Sequence, residues 1–127
     1  MKHLFKAVIA SSLAIFLTTS FVAPPAKTII TGADQTSTYL PYLKGKRVGM
    51  LVNQTSIIGK SHCVDSLVKL GVTITKIFGP EHGFRGNVDA GDKIDNAVDP
   101  STGIPVISLY GKKRKPDGAD LADVDVL

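Results

Sequence analysis

The sequence predicts an α/β fold built on a mostly parallel sheet, and three observations predict it. Short apolar runs recur at Arg47 to Asn53, at the β-branched Val72 to Phe78 and at Pro105 to Tyr110. Between the first two lies a helical apolar spacing of Cys63, Leu67 and Leu70, with Val64 and Val68 alongside. Strand, helix and strand in that order form the unit of a parallel sheet, joined by a right-handed crossover. Ligands of open α/β sheets bind beyond the carboxyl ends of the strands, so the turns after these runs are where function is sought.

Each element follows from local chemistry. Arg47 to Asn53 is a near-continuous apolar run bounded by turn residues, the pattern of a central strand buried on both faces. The polar turn Gln54 to Lys60 leads to a helix over Ser61 to Leu70, with Ser61 as N-cap and Gly71 as the stop. Val72 to Phe78 is the second strand and Pro105 to Tyr110 the third. Pro116 to Ala122 reads as a short helical turn and Val124 to Leu127 as the start of a fourth strand. A strand that has only just begun cannot complete its ladder, so the chain is read as a fragment or truncated reading frame of a longer protein.

The ends of the chain and its charge bound the possible roles. Of 127 residues, 43% are hydrophobic, which fits a globular domain rather than a disordered one. Lys2 and Lys6 precede the uncharged stretch Ala7 to Ala23, so residues 1–26 are predicted to be a secretory signal peptide, with Ala23 and Ala26 as candidate ends. The apolar run is interrupted by Ser11, Ser12, Thr18, Thr19 and Ser20 and is short for a bilayer span, so no stable membrane anchor is expected after processing. The expected location is periplasmic or extracellular. Residues 27–44 read as an entry segment draped over the fold, and residues 45–127 as the domain proper. The single cysteine, Cys63, excludes an intramolecular disulfide and is read as a buried structural thiol.

Without the leader, 13 basic residues face 11 acidic ones, a balance too small to imply a nucleic-acid partner. Lys112, Lys113, Arg114 and Lys115 form a basic run with no aromatic residue interleaved for base stacking. A solvated loop or a contact with an anionic cell-wall polymer both fit that run.

Residues 79 to 104 carry five glycines and Asp89, Asp92, Asp95 and Asp99 without apolar periodicity. A loop of that length inside a compact domain is usually functional. It opens with Gly79-Pro-Glu-His-Gly-Phe-Arg-Gly86, placing Glu81 and His82 just past a strand end. Glu81 is a candidate general acid or base, His82 a group to hold or tune it, and Arg85 a bidentate donor to a carboxylate or sugar oxygen. The competing reading closes a turn with Glu81 and His82 and pairs Arg85 with a loop aspartate. Asn53 and Gln54 end the first strand on the same rim, either to hydrogen-bond a sugar or to cap the turn. Tyr110, at the end of the third strand, is placed to stack on a sugar ring.

Other chemistries fit less well. The glycine spacing is not that of a dinucleotide site and precedes a loop rather than a helix, so no nicotinamide cofactor is expected. His62, Cys63 and His82 lack the spacing of a zinc site, and no metal is expected.

Taken in order, Gly45-Lys-Arg-Val-Gly-Met-Leu-Val-Asn-Gln-Thr-Ser56, Phe78-Gly-Pro-Glu-His-Gly-Phe-Arg-Gly86, Asp89-Ala-Gly91, Val98-Asp-Pro-Ser-Thr-Gly-Ile-Pro105 and Ser108-Leu-Tyr-Gly111 resemble the bacterial exo-β-N-acetylmuramidase family. That family was long catalogued only as a domain of unknown function. The resemblance implies a Rossmann-like N-terminal domain, incomplete in this chain, followed in family members by a smaller domain. It implies a secreted glycoside hydrolase that releases N-acetylmuramic acid from non-reducing ends of peptidoglycan fragments, with Glu81 as catalytic carboxyl and His82 beside it. A non-catalytic peptidoglycan-binding module and an inactive truncated product are the alternatives.

Overall fold

In the computed structural model, which describes residues 28–87, 89 and 95–127, four strands form one mixed, largely parallel sheet. The predicted leader, residues 1–26, and Asp92 lie outside the described residues. The elements in chain order are α1 (Thr36–Leu43), β1 (Arg47–Leu51), β2 (Ile57–Ile58), β3 (Ser61–His62), α2 (Cys63–Lys69), β4 (Thr73–Gly79), β5 (Ala97–Val98), β6 (Pro105–Ser108) and α3 (Gly118–Leu121). The main sheet runs β1-β4-β6-β5, with β4 parallel to both β1 and β6 and β5 antiparallel to β6. β2 and β3 form a separate hairpin.

The predicted β-α-β unit is present, and the α/β class is as expected. α2 ends as the sequence indicates: Gly71 takes φ +82°, its N–H donates to the Val68 carbonyl at 3.0 Å, and the Val72 N–H donates to the Leu67 carbonyl at 3.0 Å. That paired return is a Schellman stop, which needs a residue free to enter the left-handed region. The start of the helix differs from expectation. His62, not Ser61, is the N-cap, its Nδ1 accepting the Val64 N–H at 3.3 Å, because Ser61 is drawn into the hairpin with Ile58. Gly59, at φ +60°, supplies the positive φ of the two-residue hairpin turn, which the polar run Gln54 to Lys60 had concealed.

Three further differences have local causes. The entry segment contains α1, whose Tyr39, Leu40 and Leu43 pack against the core although Pro41 removes one helical donor. Asp34 fastens that segment by accepting the Gly59 N–H at 2.9 Å. The long loop contains β5, a two-residue edge strand too short to show a period. β1 is not covered on both faces along its length, since Leu51 is 59% exposed.

The core gathers Val48, Val52, Val64, Leu67, Ile74, Ile77 and Val106 on the side of the sheet that receives α2. Ile77 and Val64 have no exposed surface, and burying each contributes about 1.5–3 kcal/mol. Phe78 is equally buried but outside that cluster. It lies near Gly49, where an added Cβ would meet the Phe78 ring and Val124 at 3.1 Å. The last residues close this region: Val126 bridges Val48 in parallel, and Asp125 accepts from the Arg47 N–H at 2.8 Å and from Nη2 at 2.7 Å. Lys76 also pairs with Asp123.

Candidate functional site

The carboxyl ends of β1, β4 and β6 converge on one rim, where the candidate residues of the sequence lie. Gly79 of β4 and Ser108 of β6 are register partners, and the Leu109 N–H extends the pairing to the Gly79 carbonyl at 2.8 Å. Beyond that pair β4 turns sharply. The Gly83 N–H donates to the Pro80 carbonyl at 3.0 Å, enclosing Glu81 and His82 as the central residues of a β-turn. His82 takes φ +68°, a conformation that costs a non-glycine residue strain. Gly79 permits the return, since a Cβ there would come within 3.2 Å of the Phe84 nitrogen.

Glu81 is exposed at the tip of this turn, with the Tyr110 phenol as a neighbour of its carboxylate. The neighbouring Glu81 carboxylate raises the Tyr110 phenol above its ordinary pKa, because ionising it would place two anions together. The structure thus brings Glu81 and Tyr110 close enough to influence one another, a pairing that the sequence did not indicate.

Phe84 and Arg85 hold the turn from beneath. Phe84 is buried and meets the His62 ring edge-on, with centroids 5.4 Å apart. The Arg85 guanidinium lies 4.7 Å over the Phe84 ring and donates to two carboxylates. Nη1 and Nη2 reach Asp65 of α2 at 3.0 and 2.8 Å, while Nε and Nη2 reach Asp99 at 2.8 Å each. Of the two readings open to Arg85, the ion pair is the one present. Asp99 has a fully buried side chain and also accepts from the Thr102 hydroxyl at 2.6 Å. These hydrogen bonds, chiefly those from Arg85, hold its carboxyl down to about 2 and likewise lower Asp65. Burial alone acts in the opposite direction.

Asn53 is engaged in its own turn. Its side-chain oxygen accepts the Thr55 N–H at 3.1 Å and the Thr55 hydroxyl at 2.8 Å, and its carbonyl receives His62 Nε2 at 2.9 Å. Because His62 Nδ1 accepts from Val64, Nε2 carries the proton in this arrangement. Gln54 lies against Gly86, where an added Cβ would fall 2.7 Å from the Gln54 Cβ. This contact seats the turn after β1 on the turn after β4.

Asp65 and His62 are the positioning residues that sequence reasoning missed. Asp65 had no signal beyond its place in the first turn of α2, since its partner is 20 residues away. The Asp99-Pro-Ser-Thr-Gly103 segment did carry one: an aspartate ahead of a turn is disposed to accept from the residues that follow.

Cys63 is buried and its thiol pKa is raised by burial, in keeping with a structural role. Among the described residues, no group of three or more His, Cys, Asp or Glu is arranged to hold a metal ion. No helix among them is long and apolar enough to cross a membrane.

The family model described as "Exo-beta-N-acetylmuramidase NamZ, N-terminal" matches residues 48–127. The chain is 43% identical over 91 residues to the peptidoglycan β-N-acetylmuramidase NamZ of Bacillus subtilis strain 168, covering 70% of this chain and 22% of that protein. Two crystal structures of DUF1343 family proteins from Bacteroides fragilis NCTC 9343 share the fold, each at 38% identity, with TM-scores of 0.60 and 0.61. These cover 75% and 72% of this chain and 23% of each solved chain. The chain therefore spans less than a quarter of the length of the relatives it matches.

Proposed function

The chain belongs to the NamZ exo-β-N-acetylmuramidase family through its N-terminal domain, and from that membership we propose that it forms part of an exported glycoside hydrolase acting on peptidoglycan-derived saccharides. In this reading Glu81 is the catalytic carboxyl, and the enzyme releases N-acetylmuramic acid from non-reducing ends. The observation that carries the assignment is the position of Glu81: exposed on a strained turn beyond β4, next to Tyr110, in a loop that Arg85 anchors through Asp65 and Asp99. Glycoside hydrolysis requires a carboxyl group held at a fixed place beside the scissile bond. The turn supplies that fixity, and exposure supplies access.

The roles of the neighbours follow from their contacts. The Tyr110 phenol neighbours the Glu81 carboxylate, whose charge raises the phenol above its ordinary pKa. Arg85 and Asp99 hold the loop rather than the sugar, and Gln54 sets the depth of the rim through Gly86. The export signal read in residues 1–26 would bring the enzyme to its polymer.

The test uses the polypeptide encoded by the reading frame that carries this sequence, incubated with a chromogenic N-acetylmuramide. Chromophore release that falls at least about 100-fold in Glu81→Gln supports the role, on the scale usual for general acid–base groups. An unchanged rate in the variant removes Glu81 from the mechanism.

A further inference from the structure

One imidazole ring joins three segments of the rim. His62 Nε2 donates to the Asn53 carbonyl at 2.9 Å in the turn after β1, and Nδ1 accepts the Val64 N–H at 3.3 Å to cap α2. The same ring meets Phe84 at 80°, with centroids 5.4 Å apart, and Phe84 is the buried anchor of the turn that carries Glu81. The ring is half-buried and lines an open hollow of about 590 Å³, so water has access to it.

This arrangement requires a neutral ring. Imidazole is the side chain whose charge ordinarily changes between about pH 5 and 8, and in the imidazolium both nitrogens are donors. A second proton enters at Nδ1, where it points at the Val64 N–H, donor against donor. To escape, the ring must rotate, and a rotated ring surrenders the bond to Asn53 and the edge contact with Phe84. An acceptor stands nearby: Asp65 is the third residue of α2, the place from which a side chain reaches back to the cap. With the ring neutral, both oxygens of Asp65 are taken by Arg85. The charged groups facing His62 are Asp65 and Lys69 of α2, Lys60 at the tip of the β2–β3 hairpin and Arg85 of the loop after β4, with Asp99 buried behind Arg85. Its neighbour Cys63 is a buried thiol.

We infer that His62 is a proton-operated joint. Neutral, it holds the start of α2, the end of β1 and the Glu81 turn as one packed unit. Charged, it drops the α2 cap, turns toward Asp65 and releases Phe84. It acts on Glu81 only through Phe84, as a positioning residue, and the inference stands whether or not Glu81 is the catalytic carboxyl.

The test follows the full chain by NMR from about pH 8 to about pH 5. It reads the His62 and Phe84 ring protons and the protection of the Val64 amide, corrected for the intrinsic pH dependence of exchange. Val64 protection should fall about fivefold as the His62 ring gains its proton, the scale of one lost helix cap, and the Phe84 resonances should move with the same midpoint. His62→Asn supplies a capping oxygen that does not titrate, and should keep Val64 protection level across the range. His82→Asn, which tolerates the positive φ of that position, removes the other ring of the turn and should leave the profile in place. A His62 ring that stays neutral throughout overturns the joint, as do Val64 and Phe84 signals that stay flat while the ring titrates. So does a profile that persists in His62→Asn or vanishes in His82→Asn. Should His62→Asn fail to fold, the midpoints in the parent chain decide the matter alone.

Discussion

Arg85 grips Asp99 with Nε and Nη2, each 2.8 Å from a carboxylate oxygen, and the Asp99 side chain is entirely buried. Removing Arg85 strands that carboxylate without its counter-ion. Arg85→Ala is expected to destabilise the domain by about 3–5 kcal/mol, the usual cost of breaking a buried pair from one side. Arg85→Lys keeps the charge but loses the two-pronged geometry and should fall between. Urea midpoints compared at constant m-value check both.

The same pair makes stability depend on acid. The Asp99 carboxyl, lowered from 3.8 to about 2 mainly by its Arg85 hydrogen bonds, binds a proton less readily folded than unfolded. Its contribution is complete above the unfolded pKa near 3.8 and is lost as pH falls through about 2. By the standard conversion the loss amounts to about 2 kcal/mol. Urea melts between about pH 5 and pH 2 should show the decline, and Asp99→Asn should flatten it. An equal slope in the variant would assign the acid sensitivity to other carboxylates.

Gly86 combines φ +69° with contact to Gln54. Gly86→Ala meets both a strained backbone and a clash at 2.7 Å with the Gln54 Cβ, which is no flexible side-chain tip. The expected loss is about 2 kcal/mol or more, with displacement of the 53–56 turn. Amide chemical shifts at Gln54 and Thr55 report the displacement.

Tyr110 reports on Glu81 without any substrate. Glu81→Gln removes the carboxylate that raises the phenol, so the Tyr110 titration midpoint should drop toward its ordinary value of 10.0. Carbon-13 NMR of labelled tyrosine separates it from Tyr39 and Tyr42. A midpoint unmoved by the substitution contradicts the contact.

Cys63 should resist thiol reagents in the native chain, because it is buried and burial raises its thiol. The reaction with a chromogenic disulfide is expected to be slow in buffer and fast in denaturing urea. Comparable rates would mean that α2 opens readily.

The legible part of this fold was the part encoded locally. Cys63, Leu67 and Gly71 announce a helix and its stop within nine residues, and Ile77 and Phe78 sit in a run that has no other good conformation. α1 was hidden because Pro41 argues against a helix interior and its burial comes from tertiary contacts of Tyr39, Leu40 and Leu43. β5 was hidden because two residues cannot show a period. At the rim, Glu81 stood out through its glycine-rich surroundings. The partners of Arg85 did not, since Asp65 reaches it from another element and only the folded chain brings them together. Strand-end logic puts Tyr110 on this rim, while its nearness to Glu81 depends on the β4–β6 register.

That register has a consequence of its own. Gly79 and Ser108 face each other across the ladder, and Glu81 and Tyr110 each stand two residues further on. The backbone positions that carry the carboxylate and the phenol are therefore set by the sheet. Slipping one strand by one residue would part the pair and in the same stroke turn Val106 and Ile107 inside out. Correct strand pairing and placement of this pair are therefore set by the same register.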